Sequence, residues 1–522
     1  MKLISMLATA GKDDAFAVVD GRRRRSRIDL IAATNRYMEC MSAAGLVSGS
    51  RTLALLEQDV HGLVFLAAAS ALGIKVLMPY NLAQAAAPEW AELISAARPE
   101  FVVTTRDVGE RVRGAAQTEQ IPLLRLPVDR DDIGVLEVDQ ALSGEALVAR
   151  SVLPVEEFLV LFSSGTTGSA KAICVSEDLV CRRIRSVTKQ LQFSSVARVF
   201  MSGLINNTTG VIFGFGAMMH GSTLVYPPER APETWPAAVA ANRVTHIMLR
   251  PAAMRRFIAA ALDNGTDLES LNVVAYGAAP LPRQLLERGR ALTRSEWLQG
   301  YGLSETFGPF CWLDESGHAE GRHRAGVYCV GRPDDTIEVR IEPTAEHPHP
   351  RGEILLRSDR IMQGYCDPSV ERVKPLDTWF RTGDIGEWAP TGDLLLKGRV
   401  QATILNENGH RIHPEEVEAV LATLDDVDEV AVVGLRGPDC VSEKVVAAVH
   451  GPLTANSDIH IVNRIRVALT GVLSEELWPE LLYPCAHPLP VNVGDKVDRL
   501  SVVASLDPAL LIPLTSTGAD RS

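Results

Sequence analysis

Three times in this chain a run with the character of a buried strand stops at a turn of small residues. Phe158-Leu159-Val160-Leu161 runs into Phe162-Ser163-Ser164-Gly165-Thr166-Thr167-Gly168-Ser169-Ala170-Lys171. Val273-Val274-Ala275-Tyr276 runs into Gly277-Ala278-Ala279-Pro280, and Trp297 to Tyr301 leads to Gly302-Leu303-Ser304-Glu305-Thr306. Short apolar runs bounded by glycine read as buried strands, and helical patterns lie between them, which is the signature of an α/β domain. Ligands bind such sheets at the carboxyl ends of parallel strands, so the three turns are expected to converge on one site.

The first turn carries the most chemistry. Two glycines among hydroxyl residues let the backbone approach an anion closely, and successive N–H groups form a concave nest. The hydroxyls add donors and Lys171 adds a point charge, which together suit a polyphosphate. The spacing is not that of a P-loop, because the glycines lie three apart and Ala172 follows the lysine. Taken alone, the stretch reads equally as a Ser/Gly-rich surface turn.

At 522 residues the chain exceeds what one core serves, so at least two domains are expected. A net charge of -13 argues against nucleic acid or an acidic membrane as partner, while leaving room for local positive charge at an anionic ligand. The cysteines at 40, 174, 181, 311, 329, 366, 440 and 485 form no CxxC pair, and free thiols in a reducing compartment are expected. Met1 to Leu7 is too short for a signal peptide, and the apolar stretch Leu63 to Ile74 is too short to span a membrane. The expectation is a cytoplasmic protein. The basic run Arg22 to Arg25 reads as the solvated end of a hairpin.

Helices are predicted over Ile28–Leu46, Leu179–Leu191 and from Pro251, and strands over Val76–Met78, Phe101–Thr105 and Val244–Leu249. Shorter β-like runs follow between Glu338 and Gly392. From about residue 398 the texture is a compact α+β module: a helix over Glu415–Leu424, strands over Val430–Gly434 and Val445–Val449, and a helix over Ile459–Leu473. The fold class expected is α/β: a large N-terminal domain of α/β subdomains with a β-rich part, over 1–397, and a small mobile α+β C-terminal domain, over 398–522.

The order of short motifs carries a family resemblance. The Ser163 to Lys171 loop, Tyr301-Gly302-Leu303-Ser304-Glu305, Phe380-Arg381-Thr382-Gly383-Asp384, Gly398-Arg399 with Gly409-His410-Arg411-Ile412, and Lys496-Val497-Asp498-Arg499 follow one another at spacings that resemble the ANL superfamily of adenylate-forming enzymes. The resemblance runs from about residue 15 to 505. It implies an acid–thiol ligase that joins a carboxylic acid to ATP as an acyl-AMP and then passes the acyl group to coenzyme A or to a carrier-protein phosphopantetheine.

The same resemblance implies roles. Ser163, Ser164, Gly165, Thr166, Thr167, Gly168 and Lys171 would hold the β and γ phosphates of ATP, and Glu305 would ligate Mg²⁺. Tyr301 would stack on adenine, beside Gly302 and Ser304, while Gly277, Ala278 and Ala279 would line the adenine and acyl groups. Asp384 would accept from the ribose hydroxyls of ATP/AMP and Arg399 would donate to them. Lys496 would bridge carboxylate and phosphate, then leave as the small domain rotates about a hinge near Gln401 and the hairpin of Gly409 arrives. On the residues alone, Glu305 reads equally as a helix-terminal or salt-bridged glutamate, Asp384 as an Asx turn, and Lys496 as a surface lysine.

The chain departs from the family pattern at Ala170, Gln401, Leu405 and Asp495, in one extra residue near Asn406 to Asn408, and in Ile205-Asn206-Asn207-Thr208 where a His-bearing turn is usual. No aspartate between Met201 and Phe215 could meet an amino-acid ammonium, so a neutral acid is expected. Asn206 or Asn207 would hydrogen-bond a hydroxyl or carbonyl on it, or both would cap a helix from about Gly210. Gly214, Gly216 and Gly221 would leave room for a bulky or cyclic acyl group. The reading allows a homodimer. Two rivals are an enzyme that mainly performs thioesterification on a supplied adenylate and a catalytically silent binding protein of the same fold.

Overall fold

In the computed structural model of the chain, the residues described are 2–8, 16–21, 23–56, 59–79, 98–104, 114, 116, 121–125, 137–138, 157–162, 172–279, 281, 283–322, 328–344, 349–365, 378–436, 442–491 and 497–514. The Ser163–Lys171 loop and Lys496 lie outside them, as do Asn492 to Asp495. The chain forms two compact units. The first gathers residues 1–276, 292–310 and 357–378, and the second gathers 277–291, 311–356 and 379–522.

The first unit is built on two sheets. In one, Lys75–Met78 lies parallel between Arg51–Leu55 and Glu157–Phe162, with Met78 opposite Leu161. The strand Ala172–Ser176 returns antiparallel beside Glu157–Phe162. In the other, Arg198–Phe200 pairs in parallel with Thr223–Tyr226 and with His246–Leu249, which pairs in parallel with Val273–Gly277. Parallel sheets are covered on both faces, so their strands are apolar throughout rather than alternating. The four residues of Lys75–Met78 and of Phe101–Thr104 are all buried, as that rule requires.

Helices supply the cover. Val60–Leu72 is capped by Asp59, which accepts from the amides of His61 and Gly62, and ends on left-handed Gly73. Nearly every residue of it is buried, which explains its membrane-like composition at a length of 13 residues. Among the described residues, no helix is long and apolar enough to cross a membrane. Arg27–Ala43 starts from a capping box in which Ser26 and Asp29 bond each other's backbone amides. Of the basic run, Arg23 to Arg25 fall in the strand Arg23–Ser26, which forms a hairpin with Phe16–Asp20, and Arg22 lies outside the described residues.

The second unit holds an antiparallel sheet in the order Tyr328–Cys329, Leu394–Arg399, Phe380–Trp388, Gly352–Arg357, Glu338–Glu342. It also holds the four-stranded sheet Glu429–Arg436, Glu443–His450, Leu481–Cys485, Ile512–Pro513. Helices Pro414–Leu421 and Asp458–Leu469 pack one face of the latter through Val417, Leu421, Ile461 and Ile465, and Arg499–Ser505 packs the other through Val502. This is the α+β module expected beyond residue 398, with a core of its own.

One expectation fails among the cysteines. Cys40, Cys181, Cys311, Cys329 and Cys485 are free, but Cys174 is disulfide-bonded, and its partner lies outside the described residues. Burial pushes the Cys181 thiol up to about 12, which keeps it protonated and inert.

Candidate active site

The strand Glu296–Leu303 ends in a turn over 304–307 and returns as Gly308–Leu313. The two arms touch so closely that a side chain at Gly302 would place its Cβ 2.3 Å from the Gly308 carbonyl oxygen. Buried Thr306 locks the turn. Its hydroxyl accepts from the Leu303 amide at 3.0 Å and lies 2.8 Å from the Gly308 carbonyl. Glu305 stands on this turn, half-buried, and its carbonyl accepts from the Met362 amide at 2.7 Å. Oε1 accepts from the Tyr365 hydroxyl at 3.1 Å. Glu305 is therefore neither helix-terminal nor salt-bridged among the described residues: its side-chain partner there is the Tyr365 hydroxyl. Tyr365 has no distinguishing sequence signal and was not anticipated. Tyr301, half-buried, packs its ring 5.2 Å from Phe310. Ser304 is half-buried and its carbonyl accepts from the Phe307 amide.

Gly277 ends its strand buried, and Ala278 and Ala279 follow exposed. Ala278 has φ +67°, a left-handed conformation that costs a non-glycine residue about 1 kcal/mol or more. Such strain collects at ligand sites, and a small side chain at the end of a parallel strand is where it would serve one.

The turn before helix Thr208–His220 separates the two asparagines. Asn207 is the cap: its Oδ1 accepts from the Gly210 amide at 2.9 Å. Gly210 is required because a Cβ there would sit 2.0 Å from the Leu204 carbonyl oxygen. Asn206 does not cap. It is 7% exposed, and its Nδ2 donates to the Pro79 carbonyl at 3.0 Å. A carbonyl can only accept, so the amide nitrogen must face it. The Oδ1 of Asn206 is buried and has no hydrogen-bond partner, a state that costs about 1–3 kcal/mol.

The expectation that glycines in this helix leave room for a bulky acyl group is overturned. A Cβ on Gly214 would meet Leu63 Cδ1 at 3.1 Å, and one on Gly216 would meet Thr188 Cγ2 at 2.4 Å. Gly221 is the left-handed helix cap at φ +71°. These glycines serve close helix packing and termination.

In the second unit, Asp384 and Arg399 face each other across antiparallel strands. Arg399 Nε lies 2.8 Å from Asp384 Oδ1, with the carboxylate buried and the guanidinium 41% exposed. The Asx-turn reading of Asp384 is replaced by a cross-strand ion pair. The strand then ends in a single 3-10 turn, Val400–Ala402, with Gln401 exposed at the expected hinge. Beyond it, Ile404–Leu405 and Arg411–Ile412 form a hairpin whose loop closes around Asn406, the Oδ1 of which accepts from the amides of Asn408 and His410. Gly409, at φ +81°, sits exposed on that loop.

Charged groups surround this segment. Lys397 Nζ lies 2.8 Å from Glu387 and 3.7 Å from Glu416, which Arg351 also meets at 3.1 Å. Arg499 Nη2 is 2.7 Å from Glu418 and 3.4 Å from Glu415. Burial pushes the Glu415 carboxyl up to about 7, opposed by Arg499 and reinforced by Glu418 and Asp384. None of this network was anticipated, because each pair joins residues distant in sequence or lying on different elements.

Among the described residues, no cluster of three or more His, Cys, Asp or Glu could hold a metal ion unaided. A lone Glu305 carboxylate still fits Mg²⁺, which binds by one or two carboxylates together with substrate phosphates.

Comparison with known proteins places these features. The family model described as AMP-binding enzyme matches residues 7–366. Indoleacetate–CoA ligase of Aromatoleum aromaticum is 28% identical over 82% of this chain and 83% of its own length. The 2-hydroxy-7-methoxy-5-methyl-1-naphthoate–CoA ligase of Streptomyces carzinostaticus is 27% identical over 94% of this chain and 90% of its own. The structure of ATP-bound MatB from Rhodopseudomonas palustris superposes with a TM-score of 0.80 at 21% identity, covering 97% of this chain and 99% of that one. The α/β architecture, the motif order and the family match agree: this chain is an enzyme of the AMP-binding family, within the ANL superfamily of adenylate-forming enzymes.

Proposed function

We propose that this enzyme is an ATP-dependent carboxylic acid–CoA ligase acting on a neutral organic acid. The observation that carries the reading is Glu305, a carboxylate on a locked turn whose side-chain partner among the described residues is the Tyr365 hydroxyl. A carboxylate substrate attacking the α-phosphate of ATP brings two anions together, so neutralising charge at a fixed point lowers the barrier directly. Mg²⁺ ligated by Glu305 would supply that neutralisation to the phosphates. Ser163 to Lys171 would hold the β and γ phosphates from the carboxyl end of Glu157–Phe162. Tyr301 and Gly277 to Ala279 would bound the adenine, and Asp384 with Arg399 would take the ribose hydroxyls.

In the second half-reaction, the thiol of coenzyme A would displace AMP from the acyl-adenylate. We assign Lys496 to the first half and the Gly409 hairpin to the second, with residues 398–522 turning about the 3-10 step at Gln401. Two relatives act on aromatic acids by name, one carrying an indole N–H and one a ring hydroxyl. That supports a cyclic acid here.

The test is incubation with ATP, Mg²⁺ and CoA over a panel of aryl, arylacetic and aliphatic acids, with acyl-CoA and AMP read by mass spectrometry. Acid-dependent AMP with matching acyl-CoA is expected. AMP release with no thioester from any acid would overturn the assignment of CoA as acceptor.

A further inference from the structure

We infer that Asn206 selects acids that carry a hydrogen-bond donor, a ring N–H or hydroxyl, on the acyl group. This rests on the ligase reading above and sharpens its substrate class. Asn206 links strand ends of two sheets. It follows the carboxyl end of Arg198–Phe200 in one sheet, and its amide nitrogen bonds the Pro79 carbonyl just past the carboxyl end of Lys75–Met78 in the other. Met78 is the register neighbour of Leu161, so Pro79 lies beside Phe162 at the end of the adjacent strand. Asn206 thus joins the ligand-binding ends of both sheets within one unit.

Pro79 takes one of the two N–H groups of the Asn206 amide nitrogen. The acceptor side, Oδ1, is buried and has no partner. Buried polar atoms are nearly always paired, and an exception in a fold calls for a reason. The neighbouring asparagine shows that the turn needs only one cap, because Asn207 alone serves the helix. Gly210, forced by the closeness of Leu204, fixes the turn and leaves Asn206 little freedom to swing its oxygen toward the helix amides. What Oδ1 lacks is therefore a donor. A site holding an unpaired acceptor discriminates strongly, because an acid without the donor leaves that acceptor unpaired in the complex as well.

The experiment compares matched acids: indole-3-acetate against benzothiophene-3-acetate, and 2-hydroxy-1-naphthoate against 1-naphthoate. Initial rates of AMP formation give kcat and KM for wild type, Asn206→Leu and Asn206→Ser. Wild type should favour the donor-bearing member of a pair it turns over by at least about tenfold in kcat/KM. Asn206→Leu should bring the ratio near one, chiefly by losing the donor-bearing acid, and Asn206→Ser, which restores an acceptor, should recover part of it. A change in folding alone would lower both members of a pair together. Wild type turning over both members equally overturns the inference while leaving the ligase reading intact, and the wild-type ratio stands even if a variant fails to fold. A leucine variant that keeps the preference also overturns it. Failure of every acid in this set and in the wider panel removes the ligase reading and this inference with it.

Discussion

The turn that carries Glu305 and the segment from Asp384 to Glu418 are held by opposite means. The first is held by hydroxyls and backbone, without an ion pair among the described residues: the Thr306 hydroxyl serves the Leu303 and Gly308 backbone, the Tyr365 hydroxyl meets Glu305, and the backbone amide of Met362 fixes the turn. The second is ionic. Asp384 pairs with Arg399, Glu416 gathers Lys397 and Arg351, and Glu418 gathers Arg499. Neutral hydrogen bonds keep their geometry across pH and salt, whereas exposed or half-exposed ion pairs respond to both. The difference suits the proposal, in which the Glu305 carboxylate would stay still while residues 398–522 turn.

The contrast can be broken most severely at Glu305. Glu305→Gln keeps the shape and removes the charge, so adenylation should fall by about 10²–10³ in kcat, the scale of losing one electrostatic stabiliser. The thermal midpoint should hardly move, because no ion pair among the described residues is lost. ATP–pyrophosphate exchange and a melting curve on the same sample check both halves of the statement.

A large effect on stability rather than rate is expected in the ionic region. Glu416→Gln leaves Lys397, itself only 6% exposed, without one of its two carboxylates and deprives Arg351 as well. Breaking a buried pair costs about 3–5 kcal/mol. Arg351 is about a third exposed, so a loss toward the lower end is expected, read from the shift in urea midpoint.

Glu415 supplies a pH signature. Its folded carboxyl is raised from 4.5 to about 7, so the folded chain holds this proton where the unfolded chain has released it. The carboxyl's contribution to stability therefore worsens as pH rises from 4.5 to about 7, and is constant above that. Glu415→Gln should gain stability over wild type across that window and keep the gain at pH 8. A difference between the two melting midpoints that does not change with pH would contradict it.

The smallest effect belongs to Tyr365→Phe. Losing one hydrogen bond from a hydroxyl to a carboxylate is worth about 1.5–3 kcal/mol, so adenylation should fall by roughly ten- to a hundredfold at most, with a raised requirement for Mg²⁺. If it instead matched Glu305→Gln, the hydroxyl would be a reacting group rather than a support.

Much of this was legible in the residues. Val60–Leu72 shows its burial through the apolar stretch that starts at Leu63, and Pro251 and Pro414 mark first turns where the missing N–H costs nothing. The motif order singled out Glu305, Asp384 and Arg399, whose roles belong to the proposal. The failures share one cause, dependence on partners remote in sequence. Asn206 and Asn207 are indistinguishable until Pro79, 127 residues away, takes the amide of one of them. Gly214 and Gly216 look like open space until Leu63 and Thr188 fill it. Tyr365 finds Glu305 across 60 residues. Local pattern reports which face of an element is buried, and it does not report what arrives to bury it.

The central claim, that this chain activates a carboxylic acid as its adenylate, is tested most directly by ATP–pyrophosphate exchange without CoA. The account predicts exchange that requires the acid and Mg²⁺ and is lost in Glu305→Gln. No exchange with any acid, while CoA is acylated from a supplied acyl-AMP, would contradict it.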